Sequence, residues 1–228
     1  MAISHAVIRR LGPSLGSPAF DLVTRLLALG WSRRVKIGDT APVEQREFRN
    51  LDSHLARIRE PSSDGGRLEL IVRRPAVDER EILSEATLDT TEGLVGDGWA
   101  ARGSRATPDG SADLDAQLTL ISTRVLQAIE PDRERWPLAG DQLYVDFDLS
   151  QATLPAGSRL AIGSAVIEVS ETPHTGCAKF SARFGSDALR WINSPIGRAH
   201  RMRGLNARIL EGGTIRTGDV IRRIGTGD

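Results

Sequence analysis

The residues best suited to chemistry lie in one short segment, 172–179, which reads Thr-Pro-His-Thr-Gly-Cys-Ala-Lys. It holds the only cysteine of the chain, Cys177, one of four histidines, His174, and one of only two lysines, Lys179. A thiolate binds soft metals or carries sulfur, and a nearby histidine can move a proton or hydrogen-bond the sulfur. Gly176 is expected to let a bulky group approach the sulfur. The alternative is a buried structural thiol beside a loop histidine that caps backbone.

The elements on either side determine where this thiol lies. Residues 165–170 are predicted to form a strand and residues 180–192 an amphipathic helix, so Cys177 falls in a loop just before a helix start. Backbone amides at a helix N-terminus favour a thiolate. Lys179 and Arg183 share one face of the predicted helix. We expect them to stabilise the thiolate and to pair with a cofactor phosphate; two solvated surface side chains are the alternative.

The rest of the chain alternates apolar and polar residues in short runs, which is typical of strands. Strands are predicted at 67–73, 80–88, 117–121, 143–147, 159–162, 165–170, 200–210 and 219–224, and helices at 44–60, 123–130 and 180–192. Ser122 is predicted to cap the second helix. Because regular helical crossovers do not separate the strands, we predict an α+β, mainly β, barrel-like and largely antiparallel domain with a few short helices.

Composition excludes several classes of protein. The chain carries 30 basic and 30 acidic side chains, and this zero net charge argues against a nucleic-acid partner. No apolar run approaches the roughly 18–20 residues of a membrane span. One cysteine cannot form an internal disulfide and is compatible with the reducing cytoplasm, where we expect this protein. A His-x-x-Cys zinc site would need two further ligands, for which the sequence shows no paired spacing.

Charge is unevenly distributed along the chain. Residues 1–38 contain six basic residues and one acid, giving +5. Together with their prolines and glycines, this composition predicts a basic, partly disordered N-terminal extension over residues 1–42. Residues 43–228 are predicted to form a single domain.

Short glycine-containing motifs follow one another in a defined order. They are Gly93–Asp97, Gln117–Ile121, Gly140–Leu143, Leu154–Gly163, Pro173–Cys177 and a terminal hairpin between Gly212 and Asp219. In this order, with the cysteine at this place, they resemble the MOSC domain. That domain forms the C-terminal part of molybdenum cofactor sulfurases and also occurs in stand-alone proteins. The resemblance covers residues 65–224.

This resemblance implies a barrel-like fold, a molybdenum cofactor of the molybdopterin type and a functional cysteine, here Cys177. It implies that Asp97 and Arg102 of one loop, and Asp141 and Gln142 of another, border the cofactor pocket. Two motifs depart from the family pattern, since Gly-Trp-Ala-Ala-Arg-Gly follows the first Gly-Asp where relatives often have histidines, and Gly-Asp-Gln-Leu replaces Gly-Glu-Asn-Leu. No pyridoxal-phosphate site is expected in this chain.

Three functions follow from these observations. The first is an oxidoreductase acting on small N-oxygenated or related substrates, with Cys177 on molybdenum, His174 as its catalytic partner and a separate electron donor. The second is a sulfur carrier in which Cys177 bears a persulfide received from a separate cysteine desulfurase. The third is a non-catalytic pterin-binding module. The context of the thiol favours an enzyme.

Overall fold

The computed structural model describes residues 32–36, 51–60 and 65–225. Within these ranges the strands are β1 (Ser32–Lys36), β2 (Gly66–Arg73), β3 (Glu79–Leu83), β4 (Glu85–Asp89), β5 (Gly93–Leu94), β6 (Leu118–Ser122), β7 (Leu143–Asp146), β8 (Arg159–Ile162), β9 (Ala165–Val169), β10 (Leu205–Glu211), β11 (Gly213–Arg216) and β12 (Val220–Ile224). The helices are α1 (Leu55–Ile58), α2 (Trp99–Arg102), α3 (Thr123–Ile129), α4 (Ala178–Phe184), α5 (Ser186–Ile192) and α6 (Pro195–Ala199). Short 3-10 helices cover Leu51–His54, Leu114–Ala116 and Arg133–Ala139.

Seven strands close into a barrel in the order β2-β12-β8-β9-β10-β6-β7, because β7 pairs back onto β2. Every neighbouring pair in this ring is antiparallel except β6 with β7. β3 and β1 extend the sheet beyond β2, and β4, β5 and β11 form a small second sheet. The predicted mainly β, largely antiparallel barrel is confirmed.

Two apolar clusters fill the described part of the molecule. Alternation along β8 and β9 points Leu160, Ile162, Ile167 and Val169 into the barrel interior, where each is at most 1% exposed. The second cluster lies where helices pack on the barrel wall, and it includes Trp136, Tyr144, Phe180, Phe184 and Trp191. This second cluster fixes α4 and α5, which follow Cys177.

Several predicted elements differ from the structure. The predicted helix 180–192 is two helices, α4 and α5, because Gly185 adopts φ 92° between them. The predicted strand 200–210 begins only at Leu205, since a turn follows α6. The stretch 80–88 breaks at Ser84 into two strands that enter different sheets. Ser122 precedes α3 as predicted, but its side chain makes no capping hydrogen bond.

The N-terminal predictions are only partly within the described residues. Ser32–Lys36, inside the predicted extension 1–42, form β1 and pair with β3. Of the predicted helix 44–60, residues 44–50 lie outside the described residues, and Leu51–Ile58 are helical. The domain boundaries stay a prediction. No helix in the described ranges has both the length and the apolar character that crossing a bilayer requires.

The turn before β10 depends on one glycine. Gly204 has φ 104°, and a Cβ there would lie 2.0 Å from the carbonyl oxygen of Leu120. We expect Gly204→Ala to lower the free energy of unfolding by about 3 kcal/mol or more, because the clash is with backbone. Gly110, with φ 74° and open space, is the matched control: Gly110→Ala should cost only the roughly 1–2 kcal/mol of the left-handed conformation. Equal losses in urea denaturation would contradict this.

Candidate functional site

The segment 171–176, which carries His174 and leads to the thiol, is tied down by an asparagine near each end. The Asn206 side chain donates to the Thr172 carbonyl at 3.2 Å. The Asn193 side chain accepts from the Gly176 amide at 3.1 Å and donates to its carbonyl at 3.4 Å. These bonds hold the segment between β10 and the end of α5.

Gly176 has a different role from the one expected. A Cβ at this position would lie 2.6 Å from Leu189 Cδ1, 2.8 Å from Ile192 Cδ1 and 3.3 Å from Asn193 Nδ2. The space that the glycine leaves is therefore occupied by α5, not held open for a group approaching the sulfur. Glycine here allows the segment to pack closely on the helix.

Cys177 is exposed and directly precedes α4. Partial burial raises the pKa of its thiol, but hydrogen bonds from the backbone amides of Phe180 and Lys179, and the charges of Arg203 and Arg183, more than offset this. The net effect is a lowered pKa, so the thiolate is favoured at an accessible position. A buried structural thiol does not match this environment.

Three arginines from distant parts of the chain converge on one turn, residues 138–140. Arg183, Arg203 and Arg74 each donate to one of its successive carbonyl oxygens, at 2.9, 3.0 and 2.8 Å. A fourth, Arg80, is buried, and its Nη2 lies 3.7 Å from where a Cβ of Gly140 would be. We call residues 138–140 the arginine-bound turn. It concentrates positive charge in a chain that has no net charge.

Asp141 follows the turn and is fully buried. Arg203 Nη1 donates to its two carboxylate oxygens at 3.0 and 2.7 Å. His174 Nδ1 lies 3.5 Å from Asp141 Oδ1. Burial raises the pKa of Asp141, which Arg203 opposes only in part. Burial, then the charges of Arg203 and Arg74, hold the pKa of His174 well below its usual value, so His174 is neutral at pH 7 and the contact is not an ion pair.

Four buried polar atoms around this turn have no hydrogen-bond partner among the described residues: Tyr144 Oη, Arg80 Nε, Arg203 Nε and His174 Nδ1. Burial, followed by the neighbouring Asp141 charge, raises the pKa of Tyr144, so its hydroxyl stays protonated. An unsatisfied buried group costs about 1–3 kcal/mol and is uncommon in native proteins. These four atoms are available to hydrogen-bond a polar group that enters the site.

The first predicted loop reaches the turn through Arg74. Asp97 is buried and accepts two hydrogen bonds from the Arg74 guanidinium, both at 2.9 Å, and one from its backbone amide at 2.8 Å. Arg102 is half-exposed, and its Nη2 lies 3.7 Å from Asp97 Oδ1. Asp97 thus orients the arginine that binds the carbonyl oxygen of Gly140.

The remaining predicted site residues lie differently. Gln142 is fully buried; its side-chain oxygen accepts from the Thr119 amide at 2.9 Å and hydroxyl at 2.6 Å, and its nitrogen donates to the Gln117 carbonyl at 3.3 Å. These bonds fasten β7 to the start of β6. Lys179 is exposed beside Cys177.

Comparison with protein families matches residues 107–222 to the model of the MOSC domain. That is half of the chain. The protein belongs to the MOSC domain family. The predicted resemblance is confirmed at the level of the family. No curated protein matches the chain.

Solved structures with a similar fold include YiiM from Geobacillus stearothermophilus, at 14% identity and a TM-score of 0.50, covering 70% of this chain and 75% of that one. YiiM from Escherichia coli has 18% identity, a TM-score of 0.46 and 70% coverage of each chain. The YUAD protein from Bacillus subtilis has 16% identity and a TM-score of 0.47, covering 68% of this chain and 93% of that one. At these identities the likeness concerns the fold alone.

Sequence reasoning missed four residues near the arginine-bound turn of this MOSC domain, the partly buried Arg74 and the buried Arg80, Tyr144 and Arg203. In a chain with 28 arginines and two lysines, no single arginine is conspicuous. Tyr144 had a usable signal, because alternation along β7 places it on the face opposite Leu143 and Val145, and it is the only tyrosine of the chain.

The pKa of the Cys177 thiol in this MOSC domain should lie below that of an ordinary cysteine. Because Cys177 is the only cysteine, the rate of alkylation by iodoacetamide as a function of pH reports it directly. We expect Arg183→Met to raise the midpoint pH of the alkylation rate, since this substitution removes one of the charges that favour the thiolate. Arg190→Met, on exposed Arg190 of α5, is the charge-matched control and should leave the midpoint unchanged. An unshifted midpoint in Arg183→Met would contradict the assignment.

Neutral His174 should make the fold sensitive to acid. Its pKa is depressed in the folded protein, so the unfolded chain binds the proton more readily, and stability is lost as pH falls below about 6.5. We expect His174→Gln to reduce this loss by at most about 1.4 kcal/mol per pH unit. Urea denaturation at pH 7.5 and 5.0 measures this change in the free energy of unfolding. The control is His54→Gln, because His54 is exposed and lies just before α1. The same pH dependence in all three proteins would refute the interpretation.

Proposed function

We propose that this MOSC domain binds a molybdenum cofactor of the molybdopterin type through Cys177 and reduces small N-oxygenated or related compounds. The observation that carries the proposal is an exposed thiol whose pKa is lowered in part by the charges of Arg183 and Arg203. A soft thiolate is a suitable ligand for molybdenum, and guanidinium groups suit the phosphate of such a cofactor.

The residues present fit this group. Arg80 Nε and Tyr144 Oη are buried donors without partners in the described residues. They lie near the arginine-bound turn, where positive charge exceeds negative charge. Hydrogen-bond donors together with excess positive charge favour an anionic, oxygen-rich ligand. Cys177 adds the single soft donor atom, and its exposure allows a large group to reach it.

Each residue then has a defined role. When bound, the cofactor supplies two-electron redox chemistry at its metal. Cys177 provides the thiolate ligand, and Arg183 and Arg203 balance negative charge, with exposed Lys179 beside them. The earlier cofactor assignments of Asp97, Arg102 and Gln142 become supporting ones in this proposal. Asp97 acts through Arg74, Arg102 acts through Asp97, and Gln142 acts by fixing β7 against β6.

His174 and Asp141 are proposed to handle protons. Reduction of an N–OH group consumes two electrons and two protons and releases water. Neutral His174 can take up a proton from solvent, since 17% of its side chain is exposed, and the imidazolium so formed gives this proton to the leaving oxygen. Asp141, 3.5 Å from Nδ1, orients the ring and stabilises the cation that forms when a proton is taken up. The electrons come from a separate donor.

Sulfur transfer is the second candidate, and the exposure of Cys177 favours it. A cysteine desulfurase delivers sulfur by direct attack of the acceptor thiolate on its persulfide, so the acceptor must lie at the surface. The thiolate of Cys177 would take the outer sulfur, and the thiolate of the desulfurase would leave. Cys177 meets the requirement for access as well as for a lowered pKa.

Molybdenum content tests the proposal. Protein purified from a molybdenum-replete host should contain about one molybdenum per chain, as expected for a single ligating thiol. Cys177→Ser should lose reductase activity, because a hydroxyl is a poor ligand for the soft metal. Elemental analysis and intact mass on the same samples separate the candidates. Absence of molybdenum contradicts the redox proposal. A labile adduct of about 32 Da on wild type but not on Cys177→Ser, after incubation with desulfurase and cysteine, supports the carrier.

A further inference from the structure

A cleft of ≈ 280 Å³ opens beside segment 171–176. Its other walls come from the end of α5, from α6 and from the turn that leads into β10. His174 and Arg203 belong both to this cleft and to the surroundings of the arginine-bound turn. Thr175, two residues before Cys177, also lines it, so a ligand in the cleft lies next to the thiol segment.

Positive charge exceeds negative charge in the cleft, and two of its three arginines are unpaired among the described residues. Arg198, Arg201 and Arg203 line it, against a single acidic residue, the exposed Glu171. Neither Arg198 nor Arg201 forms an ion pair within the described part of the chain. The two terminal nitrogens of Arg203 donate to Asp141 and to the Ala139 carbonyl, so its Nε is the nitrogen that remains for a ligand.

Arg201 is held in place on the wall of the cleft. Its backbone has φ 43°, a left-handed conformation that non-glycine residues rarely adopt and that is enriched at functional sites. Its Nη1 donates to the Leu154 carbonyl. The adjacent chain is tied by a backbone hydrogen bond from the Gln151 amide to the Ala199 carbonyl at 3.1 Å. The guanidinium is therefore positioned before any ligand arrives.

Buried atoms without partners point to the same place. Arg203 is 7% exposed, and its Nε has no hydrogen-bond partner among the described residues. Ser170 Oγ also has no partner among the described residues, and both residues line the cleft. A guanidinium donor and a hydroxyl around one small space form a site for a group rich in oxygen atoms.

We propose that this cleft binds the oxyanion group, a phosphate or carboxylate, of the substrate, so that this MOSC domain acts on small anionic compounds. The assignment rests on the function proposed above, because it names the substrate of the same thiol. Planar guanidiniums bind the oxygens of such groups in pairs. The volume lies just below the roughly 300–1,000 Å³ of typical ligand pockets, which suits a compact head group.

The test measures binding to the full chain by titration calorimetry. The probes are phenyl phosphate and benzoate, with benzamide as a neutral compound of similar size. We expect both anions to bind and benzamide not to bind. Replacing the two unpaired arginines of the cleft, Arg198→Gln with Arg201→Gln, should lower the affinity for the anions at least roughly tenfold, since each charge-assisted hydrogen bond is worth about a factor of ten. Arg222→Gln, on exposed Arg222 of β12, is the charge-matched control and should not weaken them.

Three outcomes would overturn the assignment. One is equal binding of benzamide, and another is unchanged anion affinity in the double variant. Arg198→Gln alone is informative if the double variant fails to fold, because Arg198 is exposed. The third is that phenyl phosphate binds to molybdenum-free protein but not to protein that contains molybdenum. The cleft would then bind the phosphate of the cofactor, not the substrate. Molybdenum is measured on the same samples. If the chain binds anions but never acquires molybdenum, the redox function is refuted, and the cleft remains an anion-binding site.

Discussion

The site depends on how one turn is held. The arginine-bound turn presents three successive carbonyl oxygens, and guanidiniums from the end of β2, from α4 and from the turn before β10 each take one. Charge-assisted hydrogen bonds of this kind are about twice as strong as neutral ones. Because the donors come from three distant parts of the sequence, the bonds form only when the barrel has closed. Formation of the site is therefore linked to completion of the fold.

The same arrangement explains how a chain of zero net charge favours an anion locally. Asp97 and Asp141 each bind one of the arginines, so the cluster is partly neutralised inside the protein. The charges of Arg80 and Arg183 face one exposed acid, Asp78, whose Oδ1 lies 3.6 Å from Arg183 Nη2. Four arginines thus share three acids, and a lowered thiol pKa is the measurable sign of the excess positive charge.

The sequence was a good guide to local features and a poor one to convergence. The place of Cys177 before a helix, the alternation along β8 and β9 and the barrel-like class follow from short-range patterns, and the structure has them. The split of the helix at Gly185 and the turn at residues 200–204 depend on tertiary packing, which a periodic pattern does not contain. Arg203 was hidden inside a predicted strand. Arg74 gave no signal, because the groups that bind it, Asp97 and the Gly140 carbonyl, lie in loops distant in sequence.

The asparagines that fasten segment 171–176 have a consequence for how ligands are received. With Thr172 bound by Asn206 and Gly176 bound twice by Asn193, the segment loses its conformational freedom when the protein folds. A ligand therefore meets a surface that is already ordered, and little entropy is lost on association. Such a segment does not act as a lid. Entry and exit are then governed by the contacts of the ligand itself, so tight binding lengthens the residence time instead of slowing arrival.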